Sequence, residues 1–97
     1  MAIMTPYVVA KQNNSFGFGS SFITDTFIKE IIIANPNSTA EPVNVVIGGI
    51  SVLNNFNVPA NKTEVISMST FVPASTAFQV SPNSKPISFY ITGVKVE

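Results

Sequence analysis

Eight residues near the middle of the chain indicate the fold class: Val43-Asn44-Val45-Val46-Ile47-Gly48-Gly49-Ile50. Val43, Val45 and Ile47 stand at every second position, which is the pattern of a strand that has one face in a core. The two glycines that follow tolerate the positive φ angles that a two-residue hairpin turn requires. The stretch therefore predicts a β-hairpin that turns at residues 48 and 49.

The rest of the chain repeats this kind of pattern. Short runs of β-forming residues are divided every ~10–12 residues by clusters of Pro, Gly, Asn and Ser, which is typical of a sandwich or a small barrel. The predicted strands are Pro6–Ala10, Ser15–Ile23, Phe27–Ala34, Val43–Ile47, Ile50–Leu53, Thr63–Val72, Ala77–Ser81 and Pro86–Val96, with a short extra strand at Phe56–Val58. We expect one all-β domain over residues 1–97, an antiparallel β-sandwich of jelly-roll or Ig-like type with about eight strands. Residues 1–5 would form a flexible N-terminal arm.

Three consecutive isoleucines, Ile31, Ile32 and Ile33, interrupt the alternation and place apolar side chains on both faces of one strand. A strand that is apolar on both faces usually lies centrally in its sheet. One face would pack in the core. The other would meet a loop of the same chain, a sister subunit or a different partner.

Two glycine-containing segments predict finer detail. In the last strand the inward positions run to Ile91 and change phase after Gly93, which predicts a bulge and makes Val94 and Val96 the inward pair. In the Phe-Gly-Phe-Gly stretch, Phe16, Phe18 and Phe22 share one face by period two and are expected in the core. The alternative is that the glycines opposite them allow another backbone or a ligand to approach closely.

The composition excludes several classes of function. The chain has no Cys and no His, so zinc sites built on these residues are excluded, and no metal or other cofactor is expected. Five Lys balance five acidic residues and Arg is absent, so the positive surface of a nucleic-acid-binding protein is missing. No apolar run approaches the ~20 residues of a membrane span, and the first residues lack the features of a secretory signal. A protein that is made in the cytoplasm of its host cell is therefore expected.

Catalytic residues are not indicated either. A nucleophile triad needs a base, and the chain offers no His and no G-x-S-x-G motif. Its carboxylates are scattered singly among the predicted strands and turns, which is typical of a solvated surface. We expect a protein that binds and assembles, not an enzyme.

From about Phe27 onward the chain resembles small β-sandwich virion proteins of tailed bacteriophages. The similar pieces are an apolar strand that ends at an Asn, a V-x-V strand, a glycine hairpin, a Pro-Ala turn before a Thr-bearing strand, and a closing I-x-G-V-x-V strand. Here they read Ile31-Ile32-Ile33-Ala34-Asn35, Val43-Asn44-Val45, Gly48-Gly49, Pro59-Ala60-Asn61-Lys62-Thr63 and Ile91-Thr92-Gly93-Val94-Lys95-Val96. The resemblance implies a capsid decoration or cement protein, or a tail-associated component, located in the virion. The major capsid protein or another virion protein would be its partner.

The residues expected to contact that partner are Ile3, Met4 and Tyr7 in the N-terminal arm and Phe56 in a turn. For Tyr7 and Phe56 the alternative is ordinary core packing. The small number of charges, 10% of the chain, indicates that part of the surface is covered in the working state, so a homo-oligomer is expected. The alternative is a stable monomer with an uncharged face rich in Ser, Thr and Asn.

Two other functions stay open. One is a tail-tip module that binds carbohydrate or a host surface, with Asn54-Asn55-Phe56-Asn57 as the candidate loop. The other is a plain oligomerisation domain of a larger cellular assembly.

Overall fold

The structure, a computed structural model, describes residues 3–96. Eight strands follow one another in this part of the chain: β1 Met4–Ser15, β2 Phe18–Ser21, β3 Asp25–Ala34, β4 Glu41–Ile47, β5 Ile50–Val58, β6 Thr63–Val72, β7 Ala77–Pro82 and β8 Ile87–Val96. None of the described residues forms a helix that is long and apolar enough to cross a membrane.

The strands form two four-stranded antiparallel sheets, in the orders β1-β8-β3-β6 and β2-β7-β4-β5. Four of the pairings are nested: β1 with β8, β2 with β7, β3 with β6 and β4 with β5. A long hairpin of four strand pairs has this connectivity when it is rolled up so that alternate pairs fall in opposite sheets. That is the jelly roll and not the Ig-like arrangement, so the predicted antiparallel sandwich is confirmed and its type is decided.

The core lies between the two sheets and is filled by the inward side chains of both. Eight of its ten buried Val and Ile residues lie on the central strands, which have neighbouring strands on both sides, and Val58 and Val72 lie on the edge strands β5 and β6. The buried cluster consists of Ala10, three phenylalanines and ten Val and Ile residues: Ala10, Phe22, Ile28, Ile31, Ile33, Val43, Val45, Val58, Val72, Phe78, Val80, Ile87, Phe89 and Ile91.

β3 is a central strand, as the isoleucine run predicts. It lies between β8 and β6. Ile31 and Ile33 are fully buried, whereas Ile32 faces outward and is half-buried. No loop within the described residues closes over Ile32, because this side chain lines an open groove on the outer face of its sheet.

The glycine hairpin is confirmed. Ile47 pairs with Ile50, and Gly48 and Gly49 have φ angles of 59° and 80°. The strand that follows is longer than predicted, because Ile50–Leu53 and Phe56–Val58 form one continuous β5. The pairing is irregular around Asn55, whose φ is 52°. This irregularity interrupts the apolar pattern, but the strand continues through it.

The expectation for the Phe-Gly-Phe-Gly stretch is wrong at its first residue. Phe22 is buried and Phe18 packs against the core, but Phe16 is 68% exposed. Ser15 ends β1, and its hydroxyl bonds to the backbone of Gly17. The chain therefore turns at Phe16. β2 begins only at Phe18, so the alternation that directs Phe18 to the core does not include Phe16.

The predicted phase change at Gly93 is also wrong. Gly93 is itself buried and continues the inward series of β8, so that Val94 falls on the outer face. The irregularities lie in the flanking strands, between Val8 and Ala10 in β1 and between Ile28 and Glu30 in β3. A glycine in β8 allows both bulged neighbours to lie close to its backbone.

Candidate functional site

The outer face of the β1-β8-β3-β6 sheet carries an apolar row that crosses the sheet. Antiparallel register places Lys11 opposite Tyr90, Tyr90 opposite Ile32, and Ile32 opposite Val65. Residues that are directly opposite in adjacent strands lie on the same face with their β-carbons about 5 Å apart. We call Lys11, Tyr90, Ile32 and Val65 the Tyr90 row.

A polar group borders the Tyr90 row on one side. Ser88 lies two residues before Tyr90, and β1 bulges opposite it, because Gln12 pairs with Phe89 whereas Ser15 already pairs with Ile87. The bulge includes Asn14 at φ 51°, a conformation that Asn tolerates better than most residues. The Ser88 hydroxyl donates to Asn13 Oδ1 at 2.8 Å and accepts from the Asn14 backbone N–H at 3.2 Å.

Between the row and this polar group lies an open groove of about 530 Å³, which we call the Tyr90 groove. Its apolar side chains come from the central strands β3 and β8, and its polar ones mostly from the edge strand β1. Its lining residues are Lys11, Gln12, Asn13, Ile32, Ala34, Ser88, Phe89 and Tyr90. The volume lies in the usual range for small-molecule sites, and an apolar floor with a few polar groups is their usual lining.

Among the described residues that line the Tyr90 groove, Lys11 is the one with a charged side chain. The other polar lining groups are amides and hydroxyls, which donate and accept hydrogen bonds without a charge. Within residues 3–96, no three or more His, Cys, Asp or Glu side chains are grouped so that they could hold a metal ion. The groove is suited to holding a neutral or weakly anionic ligand by stacking and by hydrogen bonds.

A second apolar row crosses the same face further along the strands. Pro6 pairs with Val94, Val94 with Phe27, and Phe27 with Phe71, and the two phenylalanine rings lie 5.4 Å apart between centroids. We call these four residues the Phe27 row. Phe27 is 38% and Phe71 48% exposed. A row that contains Thr92 and Glu30 separates the Phe27 row from the Tyr90 row.

The structure distributes the predicted contact residues instead of bringing them together. Ile3 and Met4 are exposed, at 63% and 58%. Met4 and Thr5, expected in a flexible arm, are the first residues of β1, while Met1 and Ala2 lie outside the described residues. Tyr7 is half-buried, and its hydroxyl bonds to Thr26 Oγ1 at 2.6 Å. Contact of these residues with a partner stays a prediction.

Phe56 lies far from the other three, on β5 at the edge of the other sheet. It is half-buried and packs against the core opposite Val43, so the core-packing alternative describes its position. The expected carbohydrate loop at residues 54–57 is part of a strand. There the Asn55 backbone N–H donates to Asn44 Oδ1 at 2.8 Å, and Asn83 bonds to both of these side chains.

Tyr90, Ile32 and Lys11 are site residues that the sequence analysis did not identify as such. One signal for Tyr90 was present, because an aromatic residue stands at an outward position of the strongly alternating last strand. No local pattern connects Lys11 with it, since β1 and β8 are at opposite ends of the chain and meet only through the jelly-roll topology.

No protein family matches the sequence, and no curated protein matches it significantly. Two solved structures are similar in fold. One is the carbohydrate-binding module CBM36 in complex with calcium and xylotriose, at 20% identity and a TM-score of 0.45, over 84% of this chain and 71% of that one. The other is a family 35 carbohydrate-binding module from Clostridium thermocellum, at 9% identity and a TM-score of 0.47, over 98% and 90%.

Proposed function

We propose that the protein is a non-catalytic binding module that holds a carbohydrate chain in the Tyr90 groove. The observation that supports this most directly is the half-exposed ring of Tyr90, 40% exposed, in the apolar floor of a groove whose rim is made of amides and a hydroxyl. Pyranose rings present the same combination, an apolar C–H face surrounded by hydroxyl groups.

The floor of the groove accounts for stacking. Tyr90, Ile32 and Ala34 lie side by side on β8 and β3. The face of an aromatic ring carries negative charge density and attracts the polarised C–H groups of a sugar placed on it. Because the flanking side chains are apolar as well, the ligand displaces water from a continuous surface, which favours binding.

The rim accounts for orientation. Gln12, Asn13 and Ser88 offer donors and acceptors within one groove, and Lys11 adds three N–H donors. The bond from Ser88 to Asn13 holds this amide in place before a ligand arrives. Because most of these groups lie on strands and not on a long loop, the site is formed in advance and little conformational entropy is lost on binding.

A glycan array probed with the wild-type protein, followed by calorimetric titration of the best ligand, tests this function. Tyr90→Ala removes the stacking surface, and we expect its affinity to fall by about tenfold or more. Phe71→Ala is the matched control, because it deletes another exposed ring from the same sheet face but outside the groove. Its affinity should equal that of the wild type.

Two results would contradict carbohydrate binding in this groove. One is a wild-type protein that retains no glycan on the array at high protein concentration. The other is a Tyr90→Ala variant, folded by its thermal unfolding curve, that binds the selected glycan as tightly as the wild type.

The second candidate is the virion role that the resemblance implies: a capsid decoration or cement protein that binds the major capsid protein or another virion protein. The Phe27 row is the observation in its favour, because exposed aromatic residues in an apolar patch are typical of protein interfaces. The jelly roll occurs both in viral capsid proteins and in lectins, so the fold does not decide between the two functions.

Co-sedimentation with purified capsid shells separates the candidates. Under the virion hypothesis Phe71→Ser and Met4→Ser lower occupancy on the shells, because they remove apolar contact area, and Tyr90→Ala leaves it unchanged. If neither Phe71→Ser nor Met4→Ser changes the occupancy, or if the wild-type protein stays in the supernatant, this candidate is rejected.

A further inference from the structure

The two sheets end in four edge strands, β1 and β6 in one sheet and β2 and β5 in the other. Three of these edges are short or irregular. β2 has four residues, and β5 has two register shifts and a positive φ at Asn55. β1 contains Pro6 and two register shifts. Short length, bulges and proline are the features by which natural sheets prevent pairing with other chains.

β6 is long, and over half of its length it contains neither a proline nor a register shift. It has ten residues with no Pro, no Gly and no Lys, and Glu64 is its one charged side chain. Residues 63–67 pair with β3 without interruption, from Thr63 opposite Ala34 to Ser67 opposite Glu30. Within the described chain β6 pairs with β3 alone, so along this run alternate N–H and C=O groups point to solvent on the other side.

We propose that β6 pairs with β6 of a second copy of the chain, in antiparallel orientation, and joins two four-stranded sheets into one of eight strands. An exposed edge of this kind pairs best with another strand that is regular, extended and uncharged at its centre. β6 of a second copy is such a strand. Every outward N–H and C=O of the run then gains a backbone partner.

The register follows from charge and regularity. With Val65 on the two-fold axis, Thr63 lies opposite Ser67 and Glu64 opposite Ile66 of the second copy, so the pairing uses only the uninterrupted run. An axis at Glu64 would oppose two like charges, which is destabilising. An axis at Ile66 would bring Met68 and Ser69 into the pairing, where the register with β3 shifts.

This pairing has a consequence that rests on the proposed function. A two-fold axis perpendicular to the sheet keeps both Tyr90 grooves on one face. Five strand spacings separate the two Tyr90 residues, which is about 24 Å. Two grooves at this distance would bind one long polysaccharide with an avidity higher than the affinity of either groove. The dimer itself does not depend on a ligand and is tested without one.

Sedimentation equilibrium over a concentration series is the first test, with the full chain and no ligand. We expect the wild-type mass to rise from that of one chain to that of two. Val65→Lys places two like charges opposite each other and should weaken association at least tenfold. Val65 is 55% exposed, so the substitution does not disturb the core. Ile23→Lys, at a side chain that is 92% exposed outside the strands, is the control and should associate like the wild type.

Single cysteines test the register, since the chain has none of its own. In the proposed pairing Val65→Cys places two sulfur-bearing residues directly opposite each other, within disulfide range. Thr63→Cys places them about 14 Å apart, which is too far. Mild oxidation should therefore link Val65→Cys into dimers and leave Thr63→Cys monomeric on a denaturing gel.

The inference is overturned by a wild-type chain that stays monomeric throughout the series, by a Val65→Lys variant that dimerises like the wild type, or by cross-linking of Thr63→Cys in preference to Val65→Cys. None of these outcomes affects carbohydrate binding by a single groove. Loss of glycan binding with an intact cross-link at residue 65 would reject the proposed function and leave the dimer in place.

Discussion

A side chain on Gly93 would place its β-carbon 2.4 Å from the carbonyl oxygen of Phe27 and 3.1 Å from Val9 Cγ2. Gly93 thus lies where β8 contacts the irregular parts of both neighbouring strands. The first of these distances is shorter than any tolerated contact, and its partner is a backbone atom that cannot rotate away. The absence of a β-carbon at this position is therefore a requirement for the sheet.

Gly93→Ala should destabilise the protein by about 2–3 kcal/mol, because the added methyl group forces the backbones of β3 and β8 apart. Urea unfolding measures the loss. The control is Gly19→Ala in β2, whose nearest new contact would be the Phe78 carbonyl oxygen of β7, 3.9 Å away. This control should be neutral or slightly stabilising, since alanine restricts the unfolded chain. Equal stability of the two variants would show that β3 and β8 adapt without cost.

Much of the architecture could be predicted from local patterns. The glycine hairpin, the central position of the isoleucine strand and most strand bounds follow from period-two alternation and turn residues, which act over a few neighbouring residues. The choice of a jelly roll could not be predicted, because it depends on β1 pairing with β8 and β2 with β7, across most of the chain. Phe16 was misplaced because the turn at Gly17 interrupts a pattern that is regular in sequence.

The candidate site was less predictable than the fold for the same reason. Tyr90 stands at an outward position that the alternation of the last strand identifies. Its groove, however, is completed by Lys11, Gln12 and Asn13 from β1, which only long-range register brings beside β8. For Phe56 the sequence left both an exposed turn and core packing open, and strand pairing directs its ring to the core.

Glu41 makes stability depend on pH in the acidic range. Its carboxylate is 1% exposed and accepts the Ser84 N–H at 2.6 Å and the Ser84 hydroxyl at 3.1 Å. Burial acts to raise the pKa of Glu41, but hydrogen bonds from the backbone of Ser84, Lys85 and Asn83 and from the Ser84 hydroxyl outweigh it, so the pKa lies below its ordinary value of 4.5. A lowered folded-state pKa means that the stabilisation is present above 4.5 and is lost as the pH falls through the folded-state value.

Glu41→Gln should therefore lose about 1.5–3 kcal/mol at neutral pH, because the amide keeps only one of the two acceptor oxygens and carries no charge. The difference from the wild type should shrink as the pH falls below 4.5. Ser84→Ala removes only the hydroxyl bond and should lose less. Urea unfolding at a series of pH values measures all three proteins, and a Glu41→Gln deficit that is constant with pH would contradict the role of the carboxylate.

Asn35 connects three loops at one end of the sandwich. Its side chain is 2% exposed, and its Nδ2 donates to the carbonyl oxygens of Thr39 at 2.9 Å and Val58 at 3.0 Å. Its Oδ1 accepts from Asn37, whose own Nδ2 donates to the Pro86 carbonyl oxygen at 2.8 Å. Truncation leaves several of these buried groups without partners.

We expect Asn35→Ala to cost about 2–3 kcal/mol of unfolding free energy, measured in urea. Asn83→Ala is the matched control. It removes an exposed amide that bonds to Asn44 and Asn55 on the other sheet, and it should change stability by no more than about 0.5 kcal/mol. If Asn35→Ala does not change the free energy of unfolding, water replaces the hydrogen bonds of the Asn35 amide at the loops.

Tyr7 and Thr26 form a hydrogen bond whose direction can be assigned. Thr26 is fully buried, and its hydroxyl donates its one proton to the Thr24 carbonyl oxygen at 3.0 Å, so the Tyr7 hydroxyl must be the donor in the 2.6 Å contact. Tyr7→Phe removes this donor and should cost about 1 kcal/mol, and Thr26→Val removes the acceptor. The double variant should lose less than the sum of the two, with a coupling of about 1 kcal/mol in a double-mutant cycle. Additive losses would show that the two hydroxyls do not bond in solution, and Tyr7 would then be available for the partner contact that the sequence predicts.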